Sequence, residues 1–138
     1  MDDIIDLLRE HCEHIPVPLD LPTEDDLIDV EEQLYLSLPA DYREFLLSVS
    51  DVVLGSLEPT TAADRHSHTY IPDVAAEAWS IGLPRHLIPI CQHAADYFCI
   101  DPDGVIVHWS RGRLTDRQWE NIWVWAEQVW LASDTRSR

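Results

Sequence analysis

Lysine is absent from this 138-residue sequence, and nine arginines face 26 aspartates and glutamates, leaving a formal net charge of −17. A polyanion is repelled by nucleic-acid phosphate and by anionic lipid, so neither is expected as the main partner. Long apolar runs are missing too. The longest, Phe45 to Leu57, is interrupted by Ser48, Ser50 and Asp51 and is too short to span a bilayer. The start, Met1-Asp2-Asp3, has neither a basic n-region nor an apolar h-region, so no signal peptide is expected. Cysteine is sparse: Cys12, Cys91 and Cys99 are odd in number and lack framework spacing, which suits free thiols in a reducing cytoplasm. Glycine is scarce, while 46% of the residues are hydrophobic and six are tryptophan, a composition that buries a core and excludes a disordered chain. At this length one domain over residues 1–138 is expected.

The charge that is present is unevenly placed. Residues 1–64 carry 17 acids and only Arg9 and Arg43, whereas residues 65–138 carry nine acids and seven arginines. A split of this kind marks either a solvated face or an interaction surface.

Periodicity and punctuation then give the elements. Residues 2–14 read as an amphipathic helix with Ile4, Ile5, Leu7, Leu8 and Cys12 along its apolar stripe. Pro16, Pro18 and Pro22 enforce an extended segment. Thr23 is suited to cap a second helix whose first turn holds Glu24, Asp25 and Asp26, with Leu27, Val30 and Leu34 inward. A third helix begins near Pro39 and turns Tyr42, Phe45, Leu46 and Val49 inward. Val52-Val53-Leu54 and Leu57 are β-prone, residues 59–71 read as a loop, and Pro72 to Ser80 form a short helix ended by Gly82. Leu87 to Cys91 and Tyr97 to Ile100 suit buried strands. Asp101-Pro102-Asp103-Gly104 is a turn, so 97–109 reads as a hairpin. Thr115-Asp116-Arg117-Gln118 fits a capping box for a last helix, with Trp119, Ile122, Trp123, Ala126, Val129 and Trp130 on one face and Trp125 toward its flank. Helices, then strands, then a closing helix predict an α+β fold, a small antiparallel sheet packed against N-terminal and C-terminal helices.

Chemistry-bearing residues are dispersed. His11-Cys12-Glu13-His14, His66-Ser67-His68 and Cys91-Gln92-His93 hold potential ligands, but none has the paired spacing that builds a zinc site, so no metal or cofactor is expected. Cys91 and Cys99 lie in apolar runs, where a thiol behaves as a small hydrophobe rather than a nucleophile.

Taken in order, Val30-Glu31-Glu32-Gln33-Leu34, Leu38-Pro39-Ala40-Asp41-Tyr42-Arg43-Glu44-Phe45-Leu46-Leu47, Leu87-Ile88-Pro89-Ile90-Cys91, Asp96-Tyr97-Phe98-Cys99-Ile100-Asp101, Gly104-Val105 with Trp109, and Trp119 onward resemble the SUKH superfamily, best known as immunity proteins of bacterial toxin systems. The resemblance covers about residues 23–132. One departure is the absence of glycine in Ser48-Val49-Ser50-Asp51-Val52, where family members commonly have an NGG-like turn.

The resemblance implies a SUKH-like fold and a cytoplasmic, non-enzymatic protein that binds and occludes a cognate toxin, possibly a nuclease whose basic cleft an acidic surface would fill. On helical spacing Asp25, Asp29 and Glu32 share an outward face, and they are the expected partner-binding residues. Trp125, and secondarily Trp79, is the expected exposed aromatic anchor. The alternatives are a regulatory scaffold domain of the same fold without a toxin partner, and a metal-dependent enzyme using the His66–His68 loop.

Overall fold

The computed structural model describes residues 2–16 and 18–134. Three helices come first: α1 (Asp2–Glu10), α2 (Glu24–Leu34) and α3 (Ala40–Val49). A short strand β1 (Glu58–Pro59) and helix α4 (Ile71–Ser80) follow. Strands β2 (Ile88–His93), β3 (Asp96–Ile100), β4 (Ile106–Ser110) and β5 (Arg113–Trp119) precede the closing helix α5 (Ile122–Trp125), which continues as a π-helical turn over Ala126–Trp130 and a 3-10 turn over Leu131–Ser133. The five strands form one antiparallel meander in the order β1-β2-β3-β4-β5. This is the α+β architecture expected from the sequence.

Both faces of the sheet are covered, which is why β2 and β3 read as unbroken apolar runs. Tyr97, Cys99 and Trp109 point to one side and pack with Val74 and Ala78 of α4 and with Leu83 and Leu87. Phe98, Ile100 and Ile106 point to the other and join the larger core under α1, α2, α3 and the C-terminal helix. The centre of that core is aromatic: Phe45 lies 5.6 Å from Trp123 and 5.7 Å from Trp130, ring centre to ring centre.

Helix α1 ends at Glu10, one turn before the expected limit, and is tied to α3 by Arg9, which donates to the Ser48 carbonyl at 2.6 Å and to Asp51 at 2.9 Å. The glycine-free end of α3 closes with helical dihedrals. Ser50 Oγ donates back to the Leu46 carbonyl at 2.6 Å and Val52 N–H to the Val49 carbonyl at 3.0 Å. In the hairpin between β3 and β4, Asp101 Oδ1 accepts from the Asp103 and Val105 N–H groups at 2.9 and 3.0 Å, and Gly104 takes φ +91°.

Two expectations are corrected. Residues 52–57 are not a strand; Val52, Leu54 and Leu57 are buried without ladder bonds, and only Glu58 and Pro59 pair, with Gln92 and Cys91. The run is broken at Gly55, whose φ of +60° brings it so close to Ser133 that a Cβ would collide with backbone there. Second, Thr115 caps no helix. Residues 113–119 are strand β5, entered through the two-residue turn Arg111-Gly112, in which both residues have positive φ (54° and 81°), as tight hairpins require. A bulge then leaves Thr115, Asp116 and Arg117 opposite His108 alone, and Thr115 Oγ1 meets His108 Nδ1 at 3.1 Å. The true cap is Asn121, whose side chain accepts from Val124 N–H at 3.0 Å. Trp119 therefore belongs to the sheet rather than to the helix.

Candidate partner-binding surface

Helix α2 folds as its sequence dictates. Thr23 and Asp26 exchange the two bonds of a capping box, Asp26 N–H to Thr23 Oγ1 at 3.2 Å and Thr23 N–H to Asp26 Oδ2 at 2.8 Å. Leu27, Val30 and Leu34 are fully inward. The outward carboxylates fall into two groups. Arg43 of α3 holds Glu31 at 2.9 Å and Glu24 at 2.5 Å, and Glu31 also accepts from the Leu38 N–H at 2.7 Å, so these charges brace α2 against α3. Asp29 accepts from Arg65 at 2.6 Å and from Gln33 Nε2 at 3.1 Å. Gln33 in turn donates to the Tyr70 hydroxyl, which ties the helix to the end of the 59–71 segment. Asp25 and Glu32 are exposed, and among the described residues no ion pair or hydrogen bond engages them.

Of the expected trio, then, Asp25 and Glu32 project while Asp29 is anchored internally. The same face carries two apolar residues that the sequence reading passed over: Ile28, 46% exposed, and Tyr35, 86% exposed. Tyr35 ends the helix at φ 56°, a left-handed conformation that costs a non-glycine residue about 1 kcal/mol. The available signal was Ile28, an apolar residue at i+3 from Asp25 and i−4 from Glu32, on the face those acids mark as outward.

Trp125 is corrected as an exposed anchor. It is 0% exposed and packs 5.5 Å from Phe98. With the helix starting at Asn121, the sheet lies against the flank on which Trp125 stands, and the buried stripe widens to include it. Trp79 is half-buried, donates to the Leu87 carbonyl at 2.9 Å and is stacked by the Arg85 guanidinium at 3.6 Å. Neither tryptophan is a free platform.

A second surface feature is concave. Three cavities that share lining residues, of about 400, 290 and 180 Å³, border the 59–71 loop; the first two lie against the proline-rich segment and the third against Gln92 and Ala94. The middle one is walled mainly by apolar side chains, among them Val52, Leu57 and Trp130, with the hydroxyls of Thr61, Ser67 and Thr69 beside them. The loop is held in place: Thr61 N–H donates to the Thr69 carbonyl at 2.8 Å and Ile71 N–H to the Thr61 carbonyl at 2.9 Å, while the hydroxyls form a chain of 2.8 and 2.7 Å contacts. Underneath, the buried Thr60 hydroxyl links the Tyr42 hydroxyl at 2.8 Å to the Pro89 carbonyl at 3.0 Å, and burial raises the Tyr42 pKa. His68 Nε2 lies 2.6 Å from Glu58 Oε2 at the cleft's rim.

The remaining candidates do not converge. Among the described residues no three of His, Cys, Asp and Glu are grouped to hold a metal ion. The His66 backbone N–H donates to Asp64 Oδ1 and His68 pairs with Glu58. The three cysteines are free; burial raises the Cys91 pKa to about 12 and raises that of Cys99 as well, which suppresses the nucleophilic thiolate. No helix among the described residues is long and apolar enough to cross a membrane.

Comparison with known families gives a match over residues 1–131 to the model of the SUKH_5 family, described as SMI1-KNR4 cell-wall. A solved structure described as a protein from Pseudomonas syringae pv. tomato is 53% identical, covers 96% of this chain and 100% of its own, and superposes with a TM-score of 0.94. No curated protein matches.

Proposed function

Since the chain belongs to the SUKH_5 family, we propose that it is a non-enzymatic immunity protein of the cytoplasm that binds and occludes a cognate bacterial toxin. The observation that carries this reading is the family match along residues 1–131. The surface chemistry agrees with it. A toxin that acts on nucleic acid presents a basic cleft, and Asp25 and Glu32, uncompensated and exposed, offer the complementary field that speeds encounter. Ile28 and Tyr35 beside them supply the apolar contact that slows dissociation. Occlusion needs no reacting group, and burial raises the pKa of Cys91 and Cys99, which disfavours a thiolate at either.

The test is co-expression with the C-terminal domain of a toxin encoded in a neighbouring reading frame. The expected outcome is rescue of growth and co-purification of the two chains at a fixed ratio, with an association rate that falls steeply as salt is raised. Rescue without a physical complex would remove the occlusion mechanism. The description SMI1-KNR4 cell-wall favours a second reading, a regulatory scaffold domain of the same fold with no toxin partner. Capture of an endogenous non-toxin protein, with no toxin gene nearby, would favour it.

A further inference from the structure

The cleft between the proline-rich segment and the 59–71 loop combines an apolar socket with an acidic, elongated surround. The 290 Å³ cavity at its centre is floored by Val52, Leu57 and Trp130, all buried. A cavity of about 150 Å³ is enough for one benzene ring, so the socket admits an indole or a long aliphatic side chain. It does not stand alone. It shares Thr61, Ser67 and Thr69 with the 400 Å³ cavity, which Asp20 and Asp64 line, and Glu58, His68 and Thr69 with the 180 Å³ cavity. Thr69 lines all three cavities, and among the described residues no arginine lines any of them. A compact metabolite needs one enclosed room. Three joined cavities, one mainly apolar and its neighbours bearing Asp20, Asp64 and Glu58, fit an extended chain with one apolar side chain flanked by cationic ones.

We propose that this cleft is the anchor site for an extended basic segment of the partner protein, which inserts one aromatic or long aliphatic side chain into the socket and places an arginine or lysine against Glu58. This rests on the immunity reading only for the statement that the partner is a toxin. It places the main apolar contact at the 59–71 loop, adds it to the smaller one at Ile28 and Tyr35, and leaves Asp25 and Glu32 to guide the approach.

The loop is ready for such a role. Its hydroxyl chain and its backbone bonds to Thr61 hold the wall in place before binding, so little ordering cost falls on this protein. Glu58 is largely exposed and its His68 partner lies on the same rim, so an incoming guanidinium can take over the carboxylate without moving backbone.

The experiment uses the full chain, labelled with ¹⁵N, and three capped tripeptides as probes: Arg-Trp-Arg, Glu-Trp-Glu and Arg-Gly-Arg. The expected result is saturable shift changes at Val53, Thr61 and Thr69 with Arg-Trp-Arg, and binding weaker by about fivefold or more for each of the other two. Val53→Trp, which fills the socket, should abolish the changes. Because a tryptophan there can disturb folding, Glu58→Arg provides the second variant; it alters only an exposed side chain and should weaken Arg-Trp-Arg by about threefold or more. Shift changes centred on α2, changes scattered over the acidic surface, or equal binding of Arg-Gly-Arg would each overturn the proposal. The peptides test the cleft without a toxin, so their failure leaves the immunity reading standing, and failure to capture a toxin leaves the cleft's chemistry measured.

Discussion

Helix α2 and the C-terminal helix treat their polar groups in opposite ways. Around α2 each charge is either solvated or given a specific partner: Asp26 is spent in the cap, Glu24 and Glu31 are held by Arg43, Asp29 by Arg65, and Asp25 and Glu32 stand in water. The C-terminal helix instead buries bulk. Trp123, Trp125 and Trp130 are packed inside, and among the described residues their indole N–H groups find no acceptor. That helix is held chiefly by buried apolar area and shape. The difference teaches where stability and recognition reside. Asp25 and Glu32 are free to vary in charge with little effect on the fold, while the tryptophan core tolerates almost no change.

That division breaks most visibly when the core is cut. Phe45→Ala removes the ring that contacts Trp123, Trp130 and Tyr42, in a site 1% exposed. The expected loss is about 3–5 kcal/mol in urea denaturation, with a fall in near-ultraviolet dichroism as the indoles lose their fixed surroundings. A loss under about 1 kcal/mol would mean the aromatic centre is loosely packed and the contrast with α2 is wrong.

Gly55→Ala attacks the same region from the backbone. The φ of +60° strains any substitute, and the added Cβ runs into the backbone of Ser133 and Asp134. The expected cost is about 2–4 kcal/mol, since the chain end must move or the turn must change conformation. Gly104→Ala is the control: its φ is +91° but nothing lies within 4 Å, so only the strain remains and the loss should be smaller. Equal losses at the two positions would remove the close approach as a cause.

These two regions were also unequally legible in the sequence. Helices α2 and α3 follow from local rules: a capping threonine, acids in the first turn, and apolar residues at helical spacing that are in fact buried. The Asp101–Gly104 turn is local in the same way. Strand β5 was not legible, because Thr115 has a cap-like neighbourhood but its hydroxyl is claimed by His108 across the sheet, a partner no window around Thr115 contains. Arg111-Gly112 was the missed signal, a two-residue turn before a strand. The burial of Trp125 depends on which flank the sheet covers, and the anchoring of Asp29 depends on Arg65, 36 residues away. The cleft is assembled from the proline-rich segment, residues 50–59, the following loop and Trp130, so periodicity within one segment gives no trace of it.

His108 gives the pH arm of the comparison, because it is a titrating group inside the well-packed region. It is buried against Phe98, with Nδ1 near Thr115 and Nε2 3.4 Å from Asp96. Burial lowers its pKa below the ordinary 6.5, the positive charge of Arg117 and the neighbouring His93 lower it further, and Asp96 opposes them. The unfolded chain therefore binds the proton first as pH falls. Stability from this group is complete above about 6.5 and declines as pH drops through the lowered value. His108→Gln should flatten the pH dependence of the unfolding free energy between pH 7 and 5, whatever it does to the absolute value. An unchanged slope would assign the acid sensitivity to other groups.

The smallest expected effect on the fold is also the sharpest probe of α2. Asp25→Lys with Glu32→Lys replaces two exposed carboxylates that no described residue contacts, in a chain already carrying −17. Stability should move by no more than about 0.5 kcal/mol, in the favourable direction if relief of like-charge repulsion dominates. Association with a basic partner should slow by about tenfold at low salt and by less at high salt, because the lost component is long-range attraction screened over roughly 8 Å under physiological conditions. The dissociation rate should be nearly unchanged, since the apolar contacts at Ile28, Tyr35 and the cleft are left in place. Asp29→Lys is the contrasting variant: it breaks the Arg65 pair and the Gln33 bond, so it disturbs the fold as well as the field and mixes two causes. If the double variant instead raised the dissociation rate and left association untouched, Asp25 and Glu32 would be contact residues rather than guiding ones.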